Sequence, residues 1–295
     1  MDSLTDVSLP EPPTLTRCYR HPDREAGRSC TRCGKPACSD CLVQAAVGSH
    51  CVDCAKAARP DVKTRVQLAN SRVLTPATYA IVGINLLVFL WMVATDTSTL
   101  GGDVTNKHVD LALNRTIVHY THEWYRLITS GFIHFGIIHI AFNMLLLVQL
   151  GRLIERALGP VKFTMLYFAC LLGGSLGVVL MDGTKVVATG GASGAVFGLM
   201  GAAAVGMHRR GINVFSTGIG STLLLNLVFT FTISGVSIGG HVGGVLVGAL
   251  CGWFMLAPTW TPSQKWVGYV TPAAVGLACA VGAYWVCTSL PVFTG

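Results

Sequence analysis

The sequence predicts an all-α polytopic membrane protein whose helical bundle is preceded by a small two-zinc domain. Three observations carry that prediction. Of the 295 residues, 52% are hydrophobic and only 12% are charged, whereas a soluble domain is about one quarter charged; the mean hydropathy is +0.57. From residue 78 onward the chain falls into seven apolar runs. Ahead of them, between Cys18 and Cys54, stand four Cys/His pairs at two-residue spacing.

In chain order, residues 1–16 carry three prolines and no apolar period, so they read as a disordered lead. They are acidic and lack the apolar core of a signal peptide, which keeps the N-terminus in the cytoplasm. Residues 17–57 then bring Cys18-x2-His21, Cys30-x2-Cys33, Cys38-x2-Cys41 and Cys51-x2-Cys54. Two-residue spacing lets a tight turn present both side chains to one metal, and a closed structural zinc site takes four such ligands, so eight ligands suit two Zn2+. Redox-active CxxC pairs would need a thioredoxin-like fold that this segment is too short to build, and a disulfide scaffold does not suit a reducing compartment. With few large apolar residues present, the metal must supply most of the folding free energy. The pattern resembles the B-box type of zinc finger. That resemblance implies Cys18, His21, Cys38 and Cys41 on one ion and Cys30, Cys33, Cys51 and Cys54 on the other. Sequential pairing, and His50 in place of Cys51, remain open. The other four cysteines, Cys170, Cys251, Cys279 and Cys287, lie in apolar runs and read as small packing residues.

Residues 58–76 are basic (Arg59, Lys63, Arg65, Arg72) and punctuated by Pro60 and Pro76, which reads as a juxtamembrane linker beside the lipid bilayer. The apolar runs follow at about 78–95, 127–151, 162–181, 192–207, 212–231, 238–257 and 266–288. Most are long enough for a hydrocarbon layer of roughly 30 Å at about 1.5 Å per residue; the fourth is short. Eleven Lys and Arg residues precede the first run, and Arg152, Arg156, Lys162, Arg209, Arg210 and Lys265 fall on the same side. Only Lys107, Arg115, Arg126 and Lys185 fall on the other. The positive-inside rule therefore puts the N-terminus and zinc segment in the cytoplasm and the C-terminus outside. The fourth and sixth runs then point the same way, both entering from the outer face. The loop over residues 96–126, with Trp124, Tyr125 and Arg126, is too long for a simple connector and is expected to form structure of its own.

Polar residues inside a span are functional candidates, because leaving them unpaired in hydrocarbon costs several kcal/mol. Ser193 opens the fourth run within Gly191-Ala192-Ser193-Gly194, and His241 opens the sixth. Small residues continue below each, Gly194 and Gly198 on one and Gly244 and Gly248 on the other, and such ridges let backbones approach closely. Close packing would put the serine hydroxyl within reach of an imidazole base. His139 and Asn143, four residues apart, share one face of the second run and offer donors for an oxyanion site. His134 lies on a different part of that run and is expected to bond within the outer loop. Runs four and six contain no Asp or Glu. Orientation of His241 is therefore expected to come from glycine packing and from Phe197, one turn below Ser193.

In combination, His139-x3-Asn143, Gly191-Ala192-Ser193-Gly194 and His241-x2-Gly244-x3-Gly248 resemble the rhomboid family of intramembrane serine proteases, over residues 77–258. Its zinc-bearing form resembles actinobacterial members. The resemblance implies a six-helix rhomboid core with a water-filled cavity open to the outside, Ser193 as nucleophile, His241 as base, and an oxyanion site that includes the serine's backbone N–H. It implies single-span transmembrane proteins as substrates and no cofactor for catalysis. Two departures stand out: Phe197 replaces a common tyrosine, and Tyr125-Arg126 replaces a Trp-Arg pair. Residues 259–295, with the seventh helix, lie outside the core resemblance. A non-catalytic membrane-protein binder or chaperone is the alternative, against which the joint presence of Ser193, His241, His139 and Asn143 argues. A transporter would want buried carboxylates and paired interrupted repeats. For the zinc segment, a cytoplasmic protein partner or simple regulation is favoured over nucleic acid, since eight of its residues are committed to metal and Tyr19 is the one aromatic residue among its basic ones.

Overall fold

A computed structural model of the protein describes residues 16–45, 47–58, 74–182, 188–232, 235–258 and 264–289. The chain divides into two compact units, Met1–Leu74 and Thr75–Gly295. The expected lead up to residue 15, the basic linker residues Arg59, Lys63, Arg65 and Arg72, Lys185, and the tail from residue 290 lie outside the described residues.

The first unit consists of two short antiparallel ribbons and a helix. β1 (Arg28–Ser29) pairs with β2 (Pro36–Ala37), and β3 (Leu42–Gln44) pairs with β4 (Ser49–Cys51), followed by α1 (Val52–Ala57). Its apolar core amounts to Cys18, Ala37, Cys38 and Cys41 with Tyr19 and Leu42 against them. A core this small leaves most of the folding free energy to another source.

The second unit is helical: α2 (Pro76–Thr95), α3 (Asn106–Leu111), α4 (Arg115–Thr121), α5 (Arg126–Thr129), α6 (Ile137–Leu158), α7 (Pro160–Gly177), α8 (Ser193–His208), α9 (Ile219–Thr232), α10 (Ile238–Met255) and α11 (Val267–Ser289). Among the described residues, five helices are long and apolar enough to cross a membrane: α2, α6, α7 with its continuation to Met181, α10 and α11. With its stretches of exposed apolar side chains, such as Leu86, Leu87, Leu90 and Trp91 on α2, this is a multi-pass membrane protein. The apolar helices α8 and α9 are shorter, at 16 and 14 residues. At about 1.5 Å per residue neither reaches across a layer of about 30 Å.

The second apolar run departs from its expected limits of 127–151. Its first part forms α5 and a 3-10 turn at Ser130–Phe132, and the long helix starts only at Ile137 and runs to Leu158. The physical reason is Gly136, whose φ of +88 breaks any helix entering from the N-terminal side. Arg126, Leu127 and Ser130 are buried, Leu127 in a cluster with Leu113 and Val118 of the preceding segment and with Val178, Val179 and Val286. Similarly, the fifth run becomes a 3-10 turn at Val214–Thr217, Gly218 with φ +79, and then α9. The 96–126 loop does form structure of its own, with a 3-10 turn at Thr97–Leu100 ahead of α3 and α4.

α8 occupies the middle of the bundle, with Ala195 to Ala203 buried in an unbroken stretch. The core around it draws Phe163, Leu166 and Tyr167 from α7 and Leu147 and Ile154 from α6. α10 lies against α8 at backbone distance. A Cβ at Gly244 or Gly248 would collide with the carbonyl oxygens of Gly194 or Gly198, and a Cβ at Gly198 would come within 2.9 Å of the Gly244 carbonyl. α7 joins the same close packing through Gly174, where a Cβ would meet Gly240 and Gly194 at 3.0 and 3.2 Å. α11, the seventh apolar helix, reaches the segment between α2 and α5: Trp124 packs on Tyr284 at 4.4 Å between ring centroids, and His119 Nδ1 bonds the Cys287 carbonyl at 2.5 Å.

α2 is fixed at its start in an unexpected way. Glu155 of α6, only 1% exposed, accepts the N–H groups of Ala77 (3.0 Å) and Thr78 (2.7 Å) and the Thr78 hydroxyl (2.6 Å). A helix start has free N–H donors and a partial positive charge, so a carboxylate from another helix serves as its cap.

Candidate active site

The first turns of α8 and α10 lie side by side because of the glycine contacts just described. Ser193 is the first residue of α8, and His241 sits in the first turn of α10. Ser193 Oγ and His241 Nε2 are 2.8 Å apart, a full hydrogen bond. Phe197 stacks on the imidazole at 3.9 Å between centroids and 13° between planes. The other ring nitrogen, Nδ1, meets a further partner: Thr230 Oγ1 of α9, at 2.7 Å. Orientation of His241 by Phe197 and packing was therefore an incomplete expectation.

The backbone leading into Ser193 is held at several points. Leu113 and Thr189 exchange N–H···O bonds of 2.9 and 3.1 Å, and Gly191 N–H donates to the Ser130 carbonyl at 2.8 Å. His134, fully buried, accepts the Ala192 N–H at Nε2 (3.4 Å), while its own carbonyl accepts from His108 Nε2 (3.0 Å). His134 thus serves the serine loop and α3 together. Gly191 has φ +130, and a Cβ there would stand 2.9 Å from His139 Cε1 and Nε2 and 3.6 Å from Ser193 Oγ. The glycine is what leaves the space between those two side chains open.

His139 Nδ1 accepts the Phe135 N–H at 3.3 Å, so in the neutral ring Nε2 carries the proton, on the side of Gly191 and Ser193. Asn143 is buried, and its Nδ2 donates to the His139 carbonyl one turn away at 3.0 Å, which leaves its second N–H for another acceptor. Ser193, His241, His139, Asn143, Gly191 and Phe197 all line one cavity of about 620 Å³, which Asn226 and Thr230 also line. Gly194 lines it as well, while Gly198, Gly244 and Gly248 lie below it in the helix contact.

Arg126 organises the segment that carries α3 and α4. It is 5% exposed, pairs with Glu123 through Nη2 at 2.5 Å and Nε at 2.7 Å, and donates from Nη1 to the carbonyls of Val109 (2.6 Å) and Ala112 (3.0 Å). Hydrogen bonding from Arg126 holds the Glu123 carboxyl below its usual range, so Glu123 is a carboxylate at neutral pH. Burial likewise holds His108 below its ordinary value; it stacks on Phe135 at 4.5 Å and keeps a neutral ring between Thr105 and His134.

In the first unit, Cys18, His21, Cys38 and Cys41 form one group and Cys30, Cys33, Cys51 and Cys54 another, the ligand atoms of each lying within 4.8 Å of one another. These are the first pair with the third and the second with the fourth. His50, paired with Val43 across the second ribbon, belongs to neither group. Both groups have the size and composition to hold a metal ion.

Of the functional candidates, Thr230 and Glu155 escaped the sequence reading. A threonine on an apolar helix bonds its own backbone as a rule, and Glu155 lies beyond the second apolar run, between Arg152 and Arg156; neither carries a local signal of a distant partner.

A bundle of apolar helices that closes a cavity around a hydrogen-bonded serine and histidine defines a class, the multi-pass membrane proteins with a serine–histidine pair inside the helical core. Residues 121–258 match the family model of the Rhomboid domain. The chain is 35% identical over 129 residues to the rhomboid protease GluP of Bacillus subtilis, covering 43% of this chain and 25% of that one. It is 34% identical over 169 residues to the rhomboid-like protease 1 of Toxoplasma gondii (54% and 56%). To the rhomboid protease GlpG of Photorhabdus laumondii it is 30% identical over 189 residues (61% of each). By this match and these relatives, residues 121–258, just under half of the chain, carry a rhomboid domain. The chain spans a quarter of the first of these relatives and somewhat over half of the other two.

Proposed function

We propose that this protein is an intramembrane serine endopeptidase that cleaves single-span membrane proteins near the outer face. The observation that carries the reading is the 2.8 Å bond between Ser193 Oγ and His241 Nε2 inside a cavity of about 620 Å³. As Ser193 attacks a peptide carbonyl carbon, His241 takes its proton at Nε2. The negative oxygen that forms is met by donors: His139 Nε2–H, the unspent N–H of Asn143, and the backbone N–H of Ser193, which as the first residue of α8 has no partner within its helix. His241 then hands its proton to the leaving amine, the C–N bond breaks, and the acyl group stays on Ser193. Water, losing a proton to His241, attacks the ester and releases the acid, and the proton returns to Ser193. Glycine at 191 keeps the oxyanion position free.

The two metal groups, one of three cysteines with a histidine and one of four cysteines, are the ligand sets of closed structural zinc sites, and we assign them two Zn2+ that support the fold of the first unit. Zinc has no part in the hydrolysis. The charge distribution supports a plasma-membrane orientation with this unit in the cytoplasm, where its partner would be a protein, and with the serine site towards the outside.

The test is cleavage of a model single-span substrate by purified protein in detergent. Ser193→Ala and His241→Ala should each lose at least about a thousandfold in rate. Wild-type protein that binds the substrate without cleaving it would favour the membrane-protein binder, and variants as fast as wild type would refute the dyad.

A further inference from the structure

Among the described residues no carboxylate stands beside His241; what stands there is Thr230. The hydroxyl of Thr230 makes two contacts, one to His241 Nδ1 at 2.7 Å and one to the Asn226 carbonyl of its own helix at 2.8 Å. It has a single hydrogen. If that hydrogen goes to Nδ1, the Asn226 contact has no proton in it, and the remaining ring proton sits on Nε2, facing Ser193, where it blocks a base. If it goes to the Asn226 carbonyl, the oxygen is free to accept from Nδ1–H, and Nε2 presents a lone pair to the Ser193 hydroxyl. Only the second arrangement puts a proton in all three contacts, Ser193 O–H to Nε2, Nδ1–H to Thr230, and Thr230 O–H to Asn226.

Thr230 is 2% exposed, so water does not compete for this position, and unmade hydrogen bonds there are costly. Asn226, one turn earlier, donates from Nδ2 to the Thr222 carbonyl at 2.8 Å, which continues the chain of bonds along α9. We infer that Thr230 is a positioning residue for the reaction: it fixes His241 in the Nδ1–H tautomer and holds the ring plane that Phe197 stacks upon. It touches no reacting atom. Its hydroxyl also receives the hydrogen bond of the imidazolium that forms when His241 takes the serine proton, which strengthens as the ring becomes charged. The third member of the relay comes from α9, a helix other than the two that carry serine and base.

The inference rests on the dyad reading, and the experiment keeps the two apart. Full-length protein in detergent is assayed on a model single-span peptide as wild type, Ser193→Ala, Thr230→Val and Thr230→Ser. Valine keeps the shape and removes the hydroxyl; serine restores it. Thr230→Val should lower kcat about tenfold, the size of one hydrogen bond, with KM within about twofold and an unchanged thermal midpoint. Thr230→Ser should return kcat to within about threefold of wild type. Thr230→Val with wild-type kcat overturns the inference, as does Thr230→Ser no faster than Thr230→Val. Cleavage retained by Ser193→Ala would instead refute the dyad itself. The tautomer is read independently on unsubstituted protein from the ring 15N shifts of His241, assigned by their loss in His241→Ala: a protonated Nδ1 at neutral pH supports the inference, and a protonated Nε2 overturns it.

Discussion

Gly191 shows how much of this site rests on a missing atom. Its φ of +130 is strained for any L side chain, and a Cβ would press on His139 at 2.9 Å. Gly191→Ala should therefore cost cleavage roughly a hundredfold through displacement of His139, since misplacement of about 1 Å is worth that much. Gly159→Ala is the control. Gly159 also has a positive φ, +82, but nothing lies within 4 Å of its would-be Cβ, so it bears the backbone strain alone. Equal losses of kcat/KM in the two variants would show that strain, not His139, is responsible. Ser193, His241, His139 and Asn143 were legible as residues because their surroundings are so apolar that a polar side chain stands out. Thr230 was not, for the opposite reason: α9 carries Thr222, Asn226 and Thr230 at four-residue spacing, each able to bond its own helix. Its contact with His241 is made by the fold, eleven residues away across a chain reversal.

At the scale of elements, the contact of α8 with α10 sets the serine-to-histidine distance, so changes below the cavity should be felt inside it. Gly248→Val would drive a branched side chain into the Gly198 carbonyl. We expect a loss of stability of about 1–3 kcal/mol, as for overpacking in general, together with a drop in kcat. Leu250→Ala, at a residue 48% exposed on the same helix, should leave both nearly unchanged. Thermal unfolding in detergent and peptide cleavage read the two effects; a Gly248→Val protein as stable and active as wild type would show that the glycine ridge is not what sets the approach. Glu155 acts between elements too. Glu155→Ala leaves the first N–H groups of α2 buried without acceptors and should cost about 1–3 kcal/mol, with Glu155→Gln costing less because one oxygen remains. Equal unfolding midpoints for alanine and glutamine would argue against a capping role. Neither element-level feature follows from hydropathy alone. A hydropathy reading merges Leu127, Ile128, Phe132 and Ile133 with the helix that follows. It cannot see that Gly136 ends the loop or that Arg126 is committed to the Val109 and Ala112 carbonyls.

At the scale of the whole molecule, the two compact units draw their stability from different sources, and that difference can be tested. The membrane unit has an extended apolar core centred on α7 and α8. The first unit has six small buried residues, Cys18, Cys30, Ala37, Cys38, Cys41 and Cys51, and eight Cys and His side chains in two groups able to hold a metal ion. Removing zinc should unfold the first unit and leave the second intact, because a structural zinc site in such a small domain supplies binding free energy of about 10–16 kcal/mol that nothing else replaces. Trypsin is a direct probe, since Arg17, Arg20, Arg24, Arg28, Arg32, Lys35 and Lys56 all lie in this unit. After treatment with a strong chelator, metal analysis should show the loss of about two zinc per chain, set by the two four-ligand groups. Cleavage at these sites should become rapid, while hydrolysis of a single-span peptide should stay within about twofold of the untreated rate, since the serine site depends on glycine contacts among α7, α8 and α10 and not on the metal. Returning zinc should restore protection. If peptide hydrolysis instead falls and recovers with the metal, the units are energetically coupled and the zinc unit is a control element for the membrane site; if trypsin sensitivity does not change, the Cys/His groups are not what folds it.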